Sequence, residues 1–568
     1  MKTPTPDNHS KILRNALYAF LFIILLLPNI YALAVCPELQ FSAGKKIGYA
    51  AVSLVGFIVP LLFLKAKTYF IVEGIVSLLV APIEIASLFF YGATTRSMFL
   101  RTIFETNTDE AREFITSFLP FAIVVVGVWV AYFALTIKAV RNTYIVPGRL
   151  RKLTLWALPI MIAVGLGYFY RMSRQINSQM TVSEVFTDAL DKMFSKFYKI
   201  FPFDVYLSAG KLVEQQRELS ESIEKLKDFS FGINAKTDSI PETYVLVIGE
   251  TARWYNFGIN GYERNTTPNM VRISNLVSYS NSISQANLTG NSVPMILSRF
   301  AVDNFDRINT EKTLPEAFAE AGFSLSWLTA QNQFAEVQRI LTQCDKVFST
   351  RKDFDSSENF DGLLLQPFAA VVADSAHTKK FIVVHLMGNH LKYNLRYPKE
   401  YERFTPALDD SFDYQMLSES IRDEMINAYD NAILYNDYII SELIKTLDNQ
   451  GGIWAMLYLS DHGENLFDDE RKLMVHGSNF PTPYEFRIPF IVSYSDDYAK
   501  AYPEKIANIV GNKDKHISSH VVFHSLLDMA DLGAGVVDKR FCIDDTLLIS
   551  PDTISVMLGN GDLADFCF

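Results

Sequence analysis

Two apolar runs each end in an acid. "YVLVIG" delivers Glu250, and "WAMLYLS" delivers Asp461 followed at once by His462. Carboxylates and imidazole are the oxygen and nitrogen donors that Zn²⁺ or Mn²⁺ accepts, so three such residues make three sides of a metal site and leave a fourth position for a reacting oxygen. Each residue also has a plainer reading. An acid after a strand often caps a helix, and "DHG" is common in turns; the pair of strand-end acids with a histidine carries more than any one member. Further histidines stand near the ends of apolar runs: His385 and His390 in "HLMGNH", and His476 in "VHGSN". A lone histidine there is more often structural, but the clustering favours a site. Two hydroxyls compete as nucleophile. Thr251 adjoins Glu250, although neighbours at such a turn usually point in different directions. Thr289, in "NLTGNSVPM", stands at the start of a short helical pattern, where backbone N–H groups and the helix dipole suit attack on an anionic phosphate.

These residues need strands to present them. From Glu242 onward short β-rich runs ("YVLVIG", "SLSWLT", "KKFIVVHLMG", "IWAMLYLSDHG", "RIPFIVSYS") alternate with helical patterns such as "LPEAFAEAG" and "MINAYDNAILYNDYIISELIKTL". Continuous apolar strands separated by helices predict a mainly parallel sheet covered on both faces. Functional groups in such sheets gather beyond the carboxyl ends of the strands, which is where Glu250 and Asp461 fall.

The first 170 residues have a different texture. Five segments, Leu13–Val35, Ile47–Leu64, Tyr69–Phe90, Phe118–Ile137 and Leu153–Tyr170, approach the ~20 apolar residues that cross a bilayer core. Four further spans after the first argue against a cleaved signal peptide. Lys2, Lys11 and Arg14, then Lys65 and Lys67, then Lys138, Arg141, Arg149, Arg151 and Lys152 mark cytoplasmic ends, with Lys45 and Lys46 against the pattern. Five crossings place the rest of the chain on the far side, the periplasm of a Gram-negative cell. Residues 171–241, with "EVFTDALDKMFSKFYKIF" and the more polar "KLVEQQRELSESIEKLKDF", read as interfacial linker helices between a membrane domain (1–170) and a catalytic domain (242–568). The net charge of −11 excludes the basic face that a nucleic-acid binder needs. Of four cysteines, Cys36, Cys344, Cys542 and Cys567, spacing leaves Cys542 with Cys567 as a plausible tie on the C-terminal tail.

Taken in order, "VIGETARWYNFGINGYERNTTPNM", "LTGNSVPMILS", "HLMGNHLKYNLRYP", "AYDNAILYNDYI" and "LSDHGENL" with a following "HG" resemble the membrane-bound phosphoethanolamine transferases of Gram-negative bacteria, of the alkaline phosphatase and sulfatase superfamily. The resemblance runs from Tyr244 to about Gly477, with the spans and linker ahead of it. It implies a five-helix membrane domain in the inner membrane and a periplasmic α/β domain like alkaline phosphatase. It also implies a reaction in which phosphoethanolamine passes from phosphatidylethanolamine to a threonine, releasing diacylglycerol, and then to lipid A, lipopolysaccharide core or a periplasmic glucan. The matching positions make Thr289 the nucleophile and Glu250, Thr289, Asp461 and His462 the metal set, with one tightly held Zn²⁺ and room for a second. They give His390 and His476 contacts to the phosphate or a second zinc, and Glu110, in "FETNTDEAREF", a place beside the substrate amine.

The chain also departs from the family pattern. Gln285 and Met295 stand where cysteines commonly flank the nucleophile, Cys344 lacks its usual partner, and Thr102 replaces a membrane-proximal asparagine. Gln331 and Asn332 compete for a substrate-binding role in "WLTAQNQF". Two rival readings remain: a phosphoglycerol transferase of the lipoteichoic acid synthase type, and a non-catalytic lipid-binding membrane protein. A sulfatase proper would need a C-x-P-x-R or S-x-P-x-R stretch, and none is present.

Overall fold

The computed structural model describes residues 6–36, 43–91, 118–176 and 197–568, apart from positions within 309, 332–339, 351–359, 410–417 and 534 and with scattered positions between 94 and 116 and between 182 and 190. The chain divides into two compact units, Met1–Gln216 and Arg217–Phe568.

The first unit is helical. Lys11–Val35, Gly44–Phe63, Leu119–Ala139 and Gly148–Met172 are each long and apolar enough to cross a membrane, and Ala66–Leu78 with Ala81–Phe89 makes a fifth candidate bent by 43°. These match the five segments read from sequence, the third being the bent pair. Leu21, Leu25, Phe57, Tyr69, Phe70 and Tyr132 pack among themselves, whereas Ile123, Val124 and Trp156 face outward. Apolar residues turned outward are what a lipid environment requires of a spanning helix. One buried polar group inside the bundle is well paired: the Asn29 side chain donates to the Phe201 carbonyl and accepts from Tyr49 Oη. The polar run after the spans forms the helix Phe203–Leu226, whereas most of "EVFTDALDKMFSK" lies outside the described residues.

The second unit is built on a seven-stranded sheet. Among the described residues its strands, in chain order, are β1 (Glu242–Gly249), β2 (Leu276–Ser278), β3 (Asn281–Ile283), β4 (Ser324–Thr329), β5 (Lys346–Ser349), β6 (Lys379–His385), β7 (Ile453–Ser460), β8 (Asn465–Leu466), β9 (Met474–Val475), β10 (Phe490–Tyr494), β11 (His516–Ser518), β12 (Thr553–Met557) and β13 (Leu563–Cys567). The main sheet runs β2-β10-β7-β1-β6-β4-β5. All neighbours from β7 to β5 are parallel, and β10 alone among the seven runs the other way, pairing antiparallel with β7 and β2. The sequence run "RIPFIVSYS" is therefore a strand, as expected, but a reversed one.

Alternation along β1 feeds two cores. Tyr244, Leu246 and Ile248 join Phe318, Phe381, Val522 and Phe523 on one face, and Val245 and Val247 join Phe368, Ile433, Ile440 and Met456 on the other. Successive side chains of a strand point to opposite faces, so a strand buried on both must be apolar throughout. The second face is covered by the helix Arg422–Gln450, whose 29 residues extend about 43 Å at 1.5 Å per residue. Its buried Met425, Ala428, Tyr429, Ala432, Ile433, Ile440, Leu443, Ile444 and Leu447 recur at helical spacing, and Gly451, at φ 72°, ends it.

Register decides what the sheet presents. Gly249 lies opposite Ser460 and Ile248 opposite His385, so the residues that follow β1, β6 and β7 emerge side by side. Gly249 is required there: a Cβ would sit 2.8 Å from the Tyr458 hydroxyl. Gly388, in the loop after β6, has φ +50°, and a Cβ on it would lie 2.7 Å from the Glu250 carbonyl oxygen and 2.9 Å from its nitrogen. Gly388→Ala is therefore expected to destabilise the second unit by roughly 1–3 kcal/mol through overpacking and to displace Glu250. Thermal unfolding together with bound-metal content would check this; an unchanged midpoint and unchanged metal would show that the loop yields freely.

Candidate active site

Beyond the carboxyl ends of β1 and β7 the two acids and the histidine come together. One carboxylate oxygen each from Glu250 and Asp461 and one ring nitrogen of His462 lie within 4.8 Å of one another, and all three side chains are buried. Glu250 and Asp461 follow directly from paired strands, which explains why residues 211 positions apart share a site.

Each donor is aimed by other groups. Asp461 Oδ1 accepts the backbone N–H groups of Thr251 at 3.0 Å and His462 at 2.7 Å, while Oδ2 is buried without a hydrogen-bond donor. His462 Nδ1 lies 2.8 Å from the Gly463 carbonyl. That carbonyl only accepts, so Nδ1 carries the hydrogen and Nε2 presents its lone pair. Glu250 accepts from Gln331 Nε2 at 2.9 Å and from the Thr251 hydroxyl.

Thr289 opens the helix Thr289–Ile296 and is half-buried. Its Oγ1 stands 3.1 Å from His462 Nε2 and 3.3 Å from Glu250 Oε2, converging with the three donors. The two hydroxyls differ in exposure: Thr289 is partly open to solvent, whereas Thr251 is fully buried. Thr251 bonds the loop around it. It sits at φ 58°, an unusual conformation for a β-branched residue, held by its N–H on Asp461, its hydroxyl on Glu250 and its carbonyl accepting from Tyr429 Oη at 2.6 Å. Adjacent residues do share a target here, because the left-handed turn folds the hydroxyl back onto the acid.

His476 also belongs to this cluster. Its ring centroid is 4.2 Å from that of His462, and its Nδ1 lies 3.2 Å from Glu464 Oε1, whose other oxygen accepts from Tyr393 Oη at 2.9 Å. His390 follows Asn389, whose N–H donates to the Glu250 carbonyl at 2.9 Å, so its loop lies at the same edge. His385 instead ends β6 inside the core against Trp327, where burial drives its pKa down to about 4. Glu110, Thr102 and Asn332 lie outside the described residues.

Burial dominates the electrostatics. Desolvation, then the charge of Asp461, holds Glu250 well above the usual carboxylate range, and desolvation raises Glu464 to about 8. Desolvation lowers both His462 and His476. Several buried acids beside imidazoles disfavoured as cations form a site short of positive charge. The orphaned Asp461 oxygen, the oriented Nε2 and the oxygen-rich donor set fit a Zn²⁺ ion held by Glu250, Asp461 and His462 with Thr289 at its open side.

Several positioning residues went unread in the sequence. Glu485, fully buried, accepts from Ser478 N at 3.0 Å and from the side chains of Asn287 and Asn465, while its carbonyl accepts from Gly463 N at 2.6 Å. It ties the nucleophile loop, the "DHG" turn and the "HG" loop to one carboxylate. Gln285 accepts from Val302 N–H at 2.9 Å and donates its own N–H to Ser519 Oγ at 3.1 Å, bracing the loop by hydrogen bonds. All four cysteines are free thiols. The expected Cys542–Cys567 tie is absent because Cys542 is buried with its Sγ toward the Asp538 carbonyl, whereas Cys567 is exposed beside Thr553.

The model of the sulfatase family matches residues 242–532, more than half of the chain. The chain belongs to the sulfatase family. Among its relatives, phosphoethanolamine transferase EptC of Escherichia coli K12 is 27% identical over 491 residues, 83% of this chain and 82% of that protein. The crystal structure of the C-terminal periplasmic domain of Escherichia coli EptC in complex with Zn matches at a TM-score of 0.53 and 26% identity, covering 59% of this chain and 95% of that one. The integral membrane protein lipooligosaccharide phosphoethanolamine transferase A (EptA) of Neisseria meningitidis shares the fold at a TM-score of 0.67 and 22% identity, over 93% of this chain and 98% of that one. The sulfatase fold thus accounts for the parallel sheet and for the site at its carboxyl edge.

Gln331 offers a test of the orienting shell. Gln331→Leu removes the N–H on Glu250 at similar volume, and a roughly 10–100-fold loss of zinc affinity is expected, read by competition with a chromogenic chelator. Unaltered affinity would make Gln331 a packing residue only.

Proposed function

We propose that this protein transfers phosphoethanolamine from phosphatidylethanolamine, through a phosphothreonine at Thr289, to a glycolipid or glycan of the bacterial envelope. The observation that carries the reading is a half-buried hydroxyl at a helix N-terminus, converging with three buried metal-type donors. The relatives named phosphoethanolamine transferase supply the substrate class, and the apolar helices of the first unit place the chain in the inner membrane with its sulfatase domain in the periplasm.

In the first half-reaction Thr289 Oγ1 forms a bond to the phosphorus as the bond from phosphorus to the diacylglycerol oxygen breaks, and that oxygen leaves with a proton. In the second, an acceptor oxygen bonds to phosphorus and Thr289 is released. Glu250, Asp461 and His462 hold the Zn²⁺, which when bound supplies Lewis acidity toward the threonine oxygen and neutralises phosphoryl charge. The N-terminal end of the helix Thr289–Ile296, at which Thr289 stands, favours an anionic group. His476, oriented by Glu464 and partly open to solvent, is placed to contact the phosphate or to give the departing oxygen its proton. His390 serves as a second phosphate contact from the loop after β6. Gln331 and Tyr429 hold the acid and the strained turn in place without touching substrate.

Thr289→Ala is expected to abolish head-group transfer in the folded protein, a loss of several orders of magnitude, because the neighbouring Thr251 hydroxyl is fully buried and committed to Glu250. Transfer from labelled phosphatidylethanolamine in mixed micelles would measure it, and full activity in the variant would overturn the nucleophile. Mass spectrometry of lipid A and core oligosaccharide from cells with and without the protein is expected to reveal one added phosphoethanolamine. An added glycerol phosphate instead would replace the proposed donor.

A further inference from the structure

A second group of donors lies on a different part of the domain. The helix Val521–Met529 ends beside the turn that follows the 3-10 segment Lys539–Phe541, and there a carboxylate oxygen each of Asp528 and Asp544 and the Cys542 sulfur lie within 4.8 Å of one another, all three side chains buried. Asp544 is only 3% exposed, and neither of its carboxylate oxygens has a hydrogen-bond donor; Oδ2 of Asp528 lacks one too. A carboxylate buried without a donor is costly, and in native proteins such a group calls for an explanation.

The nearby lysines do not supply one. Lys539 Nζ is committed to Asp528 Oδ1 and lies 3.5 Å from Asp545 Oδ2. Lys505 Nζ binds Asp531 Oδ1 and the Asp528 carbonyl and reaches only to 4.0 Å from Asp544 Oδ2. Four carboxylates, Asp528, Asp531, Asp544 and Asp545, thus face two ammonium groups. The deficit is two positive charges.

Nor is the turn free to swing its acids away. Asn508 Nδ2 donates to the Asp544 carbonyl at 3.1 Å, and Asn512 Nδ2 donates to those of Ile543 and Asp545, both at 2.9 Å. Ser525 Oγ accepts from Ile543 N–H at 3.1 Å and donates to the Phe541 carbonyl at 3.3 Å. The backbone is pinned by side chains that are not themselves the donors, which is how outer-shell groups hold metal ligands in place.

We propose that Asp528, Cys542 and Asp544 form a structural site for a thiophilic divalent cation, Zn²⁺ by its chemistry, apart from the centre at Glu250. Two carboxylates and a thiolate are hard and soft donors that zinc accepts together, whereas Ca²⁺ and Mg²⁺ reject the sulfur. On binding, the Cys542 thiol gives its proton to solvent, a sulfur–metal bond replaces the contact with the Asp538 carbonyl, and the ion's two charges offset the new thiolate and one of the two uncompensated carboxylates. The site would staple the end of the helix Val521–Met529 to the turn after Phe541.

Cobalt distinguishes this site from the catalytic one, since the ligands Glu250, Thr289, Asp461 and His462 include no thiolate. The full-length protein, stripped with chelator in detergent and reloaded with Co²⁺ alone, is expected to develop a near-ultraviolet sulfur-to-cobalt charge-transfer band. The band should persist in an Asp461→Asn variant and in Cys344→Ser, and should vanish in Cys542→Ser. Should Cys542→Ser fail to fold, Asp544→Asn, which keeps the side-chain shape, is expected to weaken the cobalt titration of the band by roughly tenfold or more. No band in folded protein, or a band that survives Cys542→Ser, would overturn the site. So would an Asp544→Asn protein with undiminished band and raised thermal stability, which would mean that Asp544 is simply held protonated.

Discussion

Two buried carboxylates at the ends of neighbouring strands, Glu250 after β1 and Asp461 after β7, impose the constraint around which the catalytic unit is arranged. At the separation of this cluster, two like charges repel by about 3–4 kcal/mol at an effective dielectric constant of about 20, before the cost of desolvating either is counted. The arrangement persists because the fold supplies hydrogen bonds to one oxygen of Asp461 and to Glu250, leaves the other Asp461 oxygen bare, and turns a neutral imidazole lone pair toward the same point. A divalent cation held there would relieve the repulsion that the strands enforce, and the gathering of the donors would then appear as affinity for the ion.

The helix Arg422–Gln450 does more than cover the sheet. Several of its buried polar residues hold the loop system after β1: Asp430 accepts from Asn256 at 2.6 Å and Arg264 at 2.8 Å, Asp437 from the backbone of Asn269 and Met270, and Tyr429 from Arg253 N–H. Asn436 donates to Asn389, next to His390. One long helix, anchored by an apolar stripe, therefore fixes the turn that carries Glu250 and the loop that carries His390. That explains why "AYDNAILYNDYI" is rich in residues that disfavour helix interiors when exposed.

Hydrogen bonds brace the loop ahead of Thr289, since the four cysteines are free thiols. Gln285 binds the backbone of Val302 and the hydroxyl of Ser519, and Glu485 gathers three loops on one carboxylate. These contacts tether the start of the helix Thr289–Ile296 without a covalent bond, so the nucleophile's placement depends on buried polar pairs that no redox change can break.

Much of this was legible in the chain itself. The five apolar segments, the alternation of strand and helix patterns, and the appearance of Glu250, Asp461 and His462 at the ends of apolar runs follow from local composition and period, because a strand buried on both faces must be apolar and its end must become polar. The reversal of β10, the turn of the Thr251 hydroxyl onto Glu250, the withdrawal of His385 into the core and the separation of Cys542 from Cys567 could not be read there. They depend on register and on partners distant in sequence, such as Tyr429 for Thr251 and Trp327 for His385. Residue types determined which groups were available for chemistry. Only the pairing of β1 with β7, and the helix packed across them, decided which groups meet and which oxygen faces the open side.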